Sequence, residues 1–412
     1  MMQSQWKIVV FWVAAILVII LATVFYQPVA AKTGSLLVWT RNRIYIMDID
    51  TLNLERIGPA DPDELITPSP GCFGQTETPC WVVVSDRLYL VDLGAAANSV
   101  QIILPVDQGS RMGESLSWAP DGVHLAYSTV DEQIIRTELQ IYNALTNKVE
   151  FTLSEPDSTI AVAWTVDCAQ GLQASGCELG YKTAPVRGVS RLVGYNPATQ
   201  ERREWDILAE RIFELRWSPN NVLLYSRPKR HFIDPQDHEP AYQIPPGSRL
   251  ANLSPDARYA VYYQPFTLAD CQSQSEEGRC LHLGVWLTHL DREDTKPELI
   301  YSVDLSEVDR TGGLNFIPTW SPQGDTFVFF QEGRLVHYDL EEKEALIWYK
   351  PVSGKLRSTP VFSPNEEAVA FVDNQGQGFS EYRLVIVDPK LQPIEHVIDT
   401  KQGFQILAWL PN

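Results

Sequence analysis

The stretch LSWAPDGVHLAYS, from Leu116 to Ser128, holds the organising unit of the chain. An apolar run ending in Trp118 meets Ala119-Pro120-Asp121-Gly122, and a second apolar run follows. Proline presets the first corner of a type I turn, aspartate tolerates the second, and glycine frees the exit, so the tetrapeptide folds one strand back on another. The unit returns as LRWSPNNVLLYS from Leu215, LSPDARYAVYY from Leu253, TWSPQGDTFVFF from Thr319 and VFSPNEEAVAFV from Val361. After it comes a third strand, as in TELQIYNAL, GRLVHYDL or YRLVIVDP, and then, past a polar turn, a fourth, as in NKVEFTL or EALIWY.

Weaker copies fill the gaps. VAWTVDC at Val162 keeps the Trp and ITPSPGC at Ile66 keeps the turn, and both carry a cysteine staple where the turn should be. Starts at Ile66, Leu116, Val162, Leu215, Leu253, Thr319 and Val361 recur at roughly 35 to 65 residues, around the period of a β-propeller whose blades are four-stranded sheets. Half a repeat remains at each end. LLVWT, RIYIMDI and LERI read as strands two to four, and the terminal FQILAWLPN reads as a first strand, so the C-terminal strand is expected to complete the first blade. That closure leaves no unpaired terminal edge. The expectation is an all-β chain: a β-propeller of eight four-stranded blades over residues 36–412. Seven is the alternative if the segment between Leu215 and Pro246 forms no blade of its own. Twelve Trp and sixteen Tyr suit such pleated strands. Trp118, Trp164, Trp217, Trp320 and Trp409 recur at one place in the repeat, which reads as packing between blades before it reads as a platform for a sugar.

Before the repeats, residues 1–7 form a short tail. Residues 8–26, IVVFWVAAILVIILATVFY, carry no charge and have about the length that crosses a bilayer as a helix, and 27–35 form a linker. Two readings stand: a retained membrane anchor, or a signal segment cut after Ala31 behind the small residues Val29-Ala30-Ala31. Six cysteines fall in three local pairs, Cys72 with Cys80, Cys168 with Cys177 and Cys271 with Cys280. Each pair would close a loop of about ten residues, a bridge stabilising by roughly 2.5 kcal/mol in the chain-entropy model. Such bonds persist in an oxidising compartment, which places the propeller on the extracytoplasmic side of a cell membrane, or outside the cell if the segment is cleaved. The spacings do not suit a zinc knuckle.

The aromatic–Ser-Pro-Asp-Gly–apolar strand unit resembles the TolB-type propeller repeats. Trp118-Ala119-Pro120-Asp121-Gly122 and Trp320-Ser321-Pro322-Gln323-Gly324 are the nearest matches, and the resemblance covers most of residues 36–412. It implies an extracytoplasmic propeller that serves as an interaction platform. TolB itself carries a separate α/β domain before its propeller, which this sequence does not show, so a role in the same envelope complex is not carried over.

With 33 Lys and Arg against 52 Asp and Glu, the formal net charge is -19, a balance that repels polyanions and argues against nucleic acid as a partner. No Gly-x-Ser-x-Gly elbow, His-Glu-x-x-His, phosphate loop or calcium loop occurs, and no cofactor or metal is called for. His231 and His238 flank Asp234 and Asp237 in a polar insertion that reads as a solvated connection before it reads as a metal site. His282 and His289, seven apart on an expected strand, face opposite sides. Arg227, Lys229 and Arg230 form the one notable basic cluster and are the candidate anion-binding residues. The expected function is a non-catalytic binding or protein-interaction module of the cell envelope, tethered by its N-terminal helix and receiving an envelope protein, peptide or glycan. The alternative is a propeller-scaffold enzyme, a polysaccharide lyase or hydrolase, with a site assembled from several blades.

Overall fold

A computed structural model describes residues 34–40, 43–59, 66–73, 76–84, 87–91, 101–104, 110–131, 136–155, 158–184, 191–206, 214–217, 223–227, 230–233, 248–256, 258–267, 281–290, 296–304, 318–331, 334–350, 358–374, 382–388, 393–398 and 404–410. The expected N-terminal helix, residues 8–26, and the pair Cys271 and Cys280 lie outside them. Among the described residues no helix is long and apolar enough to cross a membrane.

The described strands form eight antiparallel sheets, seven of four strands and one of three. Blade 1 joins Ser35–Thr40, Arg43–Asp48 and Leu54–Pro59 to the C-terminal strand Phe404–Leu410. The closing register runs from Ser35 opposite Leu410 to Thr40 opposite Phe404, so the last strand does complete the first blade. Blades 2, 3 and 4 begin at Ile66–Pro68, Ser110–Trp118 and Ser158–Trp164. Blade 5 is the three-stranded sheet Glu214–Trp217, Leu223–Arg227 and Arg230–Ile233, which settles the segment after Leu215 as a sheet of its own. Blades 6, 7 and 8 begin at Arg249–Leu253, Thr319–Trp320 and Val361–Phe362.

The middle strands read as continuous apolar runs because each is covered on both faces by neighbouring blades. Cys80–Val84 is buried throughout, while the outer strand Glu344–Tyr349 keeps only Tyr349 buried. Apolar clusters fill the boundaries between blades. Tyr127 and Tyr142 of blade 3 pack on Trp81 and Leu88 of blade 2, and Phe327 and Phe329 of blade 7 pack on Tyr263 and Val285 of blade 6. Across the closure, Val372 and Ile386 of blade 8 meet Leu36, Ile406 and Trp409 of blade 1. Each of these boundaries buries large side chains at roughly 1.5–3 kcal/mol apiece, which is how sheets that cannot stand alone join into a propeller.

Candidate functional site

Among the described residues, the turn between first and second strands is seen in blades 2, 3, 4, 6, 7 and 8. In blades 2, 6, 7 and 8 a serine hydroxyl accepts the backbone N–H that opens the second strand: Trp81 to Ser69 at 3.0 Å, Tyr259 to Ser254 at 3.0 Å, Thr326 to Ser321 at 3.3 Å and Ala368 to Ser363 at 3.0 Å. Thr165 does the same for Glu178 in blade 4, at 2.9 Å. Blade 3 has Ala119 at that place, and the Asp121 carboxylate takes over, accepting Val123 N–H at 2.8 Å and His124 N–H at 3.0 Å. His124 is fixed in turn between Asp121 (Nδ1 to Oδ2, 2.5 Å) and Glu150 (Nε2 to Oε2, 3.3 Å). Blades 2 and 4 replace the tight turn by 3-10 turns, Pro70–Phe73 and Val166–Gln170, each tied by a disulfide, Cys72–Cys80 and Cys168–Cys177. Two of the three expected bridges are therefore in place, where the repeat loses its tetrapeptide.

The first strands lie innermost, and the tryptophans at their ends form a relay. The indole N–H of Trp118 donates to Thr67 O at 3.2 Å, Trp164 to Ser117 O at 3.1 Å, Trp217 to Ala163 O at 3.1 Å and Trp320 to Asn252 O at 3.3 Å. Each acceptor belongs to the preceding blade and stands one residue before the position that the tryptophan occupies in the repeat. These four rings are 7–8% exposed, so the reading as interblade packing holds. It is incomplete. The rings also wall a mouth of about 630 Å³ at the turn end of the ring, together with Phe73, Pro70, Pro120, Pro255, Val166, Ala163, Leu253, Ser117, Ser254, Asn252, Thr319 and Asp256. Among its described residues the one charged group is Asp256, which accepts the Ser254 hydroxyl at 2.6 Å and pairs with Arg258 at 3.3 Å. Val166 is 57% exposed at the mouth. The convergence of several blades on this wall has no local sequence signature. The recurrence of Trp at one place was the available signal: Leu253 and Phe362 fill the same place in blades 6 and 8, so bulk alone does not require an indole, and the N–H does.

The basic cluster lies elsewhere. Arg227 ends the second strand of blade 5, Arg230 opens the third, and the two are partners across the turn, at the opposite end of the blade from the mouth. Lys229 lies outside the described residues, as do Asp234, Asp237 and His238. His282 and His289 face opposite sides of one strand, against Phe266 and Tyr259. His337 of blade 7 stacks on Trp348 at 4.0 Å, and burial drives its imidazole down to about 4, so it is neutral. Among the described residues no three His, Cys, Asp or Glu side chains are grouped to hold a metal ion.

The sequence matches no known family model and no curated protein. Solved structures share the fold. Dihydro-heme d1 dehydrogenase NirN in complex with DHE aligns over 91% of this chain and 75% of its own at 13% identity, with a TM-score of 0.55. The Dos1 propeller aligns over 83% and 90% at 12% identity, TM-score 0.47. TolB from Acinetobacter baumannii aligns over 85% and 82% at 15% identity, TM-score 0.32. Identities of this size speak for the fold alone; the eight sheets, seven of them four-stranded and the first closed by the C-terminal strand, are those of a β-propeller.

Proposed function

We propose that this chain is a membrane-tethered, extracytoplasmic propeller that binds a segment of an envelope protein or peptide in the tryptophan-walled mouth, without catalysis. The composition of that wall carries the reading. Among the described residues, four indoles, a phenylalanine and three prolines surround one carboxylate, with no His, Lys or Arg beside them. Acid–base or nucleophilic chemistry draws on convergent titratable groups, of which the described residues of this wall offer one. The indole N–H groups are already spent on backbone carbonyls, so the rings offer apolar surface rather than donors, which suits the side chains of an extended peptide. The uncharged run 8–26 supports the tether, and the two disulfides support an oxidising compartment. Nucleic acid is an improbable partner for a chain of net charge -19.

The test is a pull-down of the full-length protein from gently solubilised membranes, run beside V166E, which places a charge in the mouth at an exposed position. A stoichiometric partner held by the wild type and lost by V166E is the expected result. Retention of the same partner by V166E would move binding away from the mouth. Cleavage of an acidic or neutral polysaccharide by the purified protein would replace the proposal by the enzyme reading.

A further inference from the structure

The chain enters the propeller at the mouth end. Ser35, the first residue of its strand in blade 1, stands opposite Leu410, the last residue of the C-terminal strand. Leu410 and Ala408 share one apolar cluster with Cys72 and Phe73, and Phe73 walls the mouth. Just before the strand, Gly34 O accepts the Ile49 N–H at 3.1 Å, which pins the entry point to the turn between Arg43–Asp48 and Leu54–Pro59.

The uncharged run 8–26 ends at Tyr26, eight residues before Gly34. Fully extended, that linker reaches about 28 Å, and crossing the headgroup layer uses about 5–8 Å of it, which leaves roughly 20 Å. Suppose instead that the other end of the propeller faced the bilayer. The linker would then have to pass outward over the two outer strands of blade 1, about 10 Å, and along six-residue strands, about 20 Å. That path of about 30 Å exceeds what remains, whereas with the mouth end toward the bilayer the linker has length to spare.

The turns at this end bear on what fits between the mouth and the lipid. Those that join third and fourth strands lie level with the mouth tryptophans: Tyr195 pairs with Leu179 and Leu179 with Trp164, as Tyr338 pairs with Phe327 and Phe327 with Trp320. Among the described residues of these turns in blades 1, 4 and 7, Asp50, Glu201, Glu341 and Glu342 are exposed, against the one amine of Lys343. Anionic headgroups repel such a rim, so it does not lie flat on them, and the mouth stays open to a protein segment. On the reading of residues 8–26 as a retained anchor and of the mouth as the binding surface, we propose that the mouth faces the bilayer and takes the membrane-proximal segment of another membrane-anchored envelope protein.

Energy transfer measures the orientation. Full-length protein with a fluorophore at L145C, E342C or T267C is reconstituted in phosphatidylcholine vesicles that carry headgroup acceptors. Leu145 and Glu342 lie in mouth-end turns of blades 3 and 7, and Thr267 ends the second strand of blade 6, away from the mouth. All three are exposed, so the labels displace no packed side chain. The first two are expected to lie nearer the headgroups than T267C by about 20–25 Å, the height of a blade. Equal distances, or T267C the nearer, would overturn the orientation and leave the tether standing. Protein that does not float with the vesicles would overturn the tether, and the orientation with it. The partner is read in intact membranes, with Val166 replaced by benzoylphenylalanine. Crosslinks are expected within about ten residues of a partner's membrane span, the reach of about 30 Å of extended chain. Crosslinks only to lipid, to a second copy of this chain or to segments far from any span would overturn the membrane-proximal partner.

Discussion

Blade 4 has two faces that contrast sharply. Toward blade 3 it presents Leu179, Tyr181, Val193 and Tyr195, which pack with Leu139 and Ile141 in one apolar cluster. Toward blade 5 the alternate residues appear: Gly180, Lys182, Leu192, Gly194, Arg203 and Trp205, brought into rows by the pairing of Gly180 with Gly194, Lys182 with Leu192, Gly194 with Arg203 and Leu192 with Trp205. Here the contact is a clamp. Arg203 bonds both oxygens of Glu178, at 2.7 and 2.9 Å, and lies over the rings of Trp205 and Trp217 at 4.7 and 5.4 Å. The described residues on the two sides of this sheet thus differ in kind. Among the described residues, the first side shows area removed from water and the second adds directional contacts, which are sensitive to single atoms.

Adjacent residues on that sheet break the comparison in opposite directions. Tyr181 is fully buried on the apolar face, and Y181A is expected to cost about 3–5 kcal/mol in urea unfolding, the range for emptying a large aromatic site. Lys182 is 4% exposed on the other face, and among the described residues no hydrogen bond or ion pair holds its amine. Burial lowers its pKa from 10.5. K182M keeps the volume and removes the unpaired amine, so it is expected to stabilise by about 1–2 kcal/mol at pH 7. The sign with pH follows. Between its lowered value and 10.5 the folded chain binds fewer protons at Lys182 than the unfolded chain does, so the wild type gains stability as pH rises and the advantage of K182M shrinks. Thermal melts of both proteins at pH 7 and pH 9.5 check this, and a constant gap would mean that Lys182 is compensated.

Most of the ring was legible in the chain because its turns are local chemistry: Pro120, Pro255, Pro322 and Pro364 each announce a hairpin whose partners lie within a dozen residues. The closing strand was legible for a topological reason, since FQILAWLPN is half a repeat with no other place to go. The stapled turns at Cys72 and Cys168 were readable as departures from the repeat. What the sequence withheld depends on neighbouring blades. The tryptophans were read as space-filling, which accounts for their burial but not for their N–H bonds to the preceding blade or for the mouth they enclose. Lys182 sits in an ordinary alternating strand, and only the blade against which that face packs makes it a buried charge.

The smallest effect isolates the clamp. Gly194 lies beneath it, and a Cβ added there would come 1.9 Å from Glu178 Oε1 and 3.0 Å from Arg203 Nε. The conformational freedom of glycine is not at issue, because the residue sits in regular strand; the close approach is. G194A must push the Glu178 carboxylate off the Arg203 fork, and since Arg203 is 45% exposed the lost pair is worth only about 0.5–1 kcal/mol. That loss is hard to assign from one variant. In an E178A background the new methyl meets no carboxylate, so G194A is expected to become neutral there, leaving a coupling energy of about the same 0.5–1 kcal/mol in the cycle. Equal costs in both backgrounds would place the damage in the strand pairing rather than in the clamp. The Arg203–Glu178 pair would then be a bystander, and among the described residues the boundary between blades 4 and 5 would keep Leu192 and the Trp217 bond to Ala163.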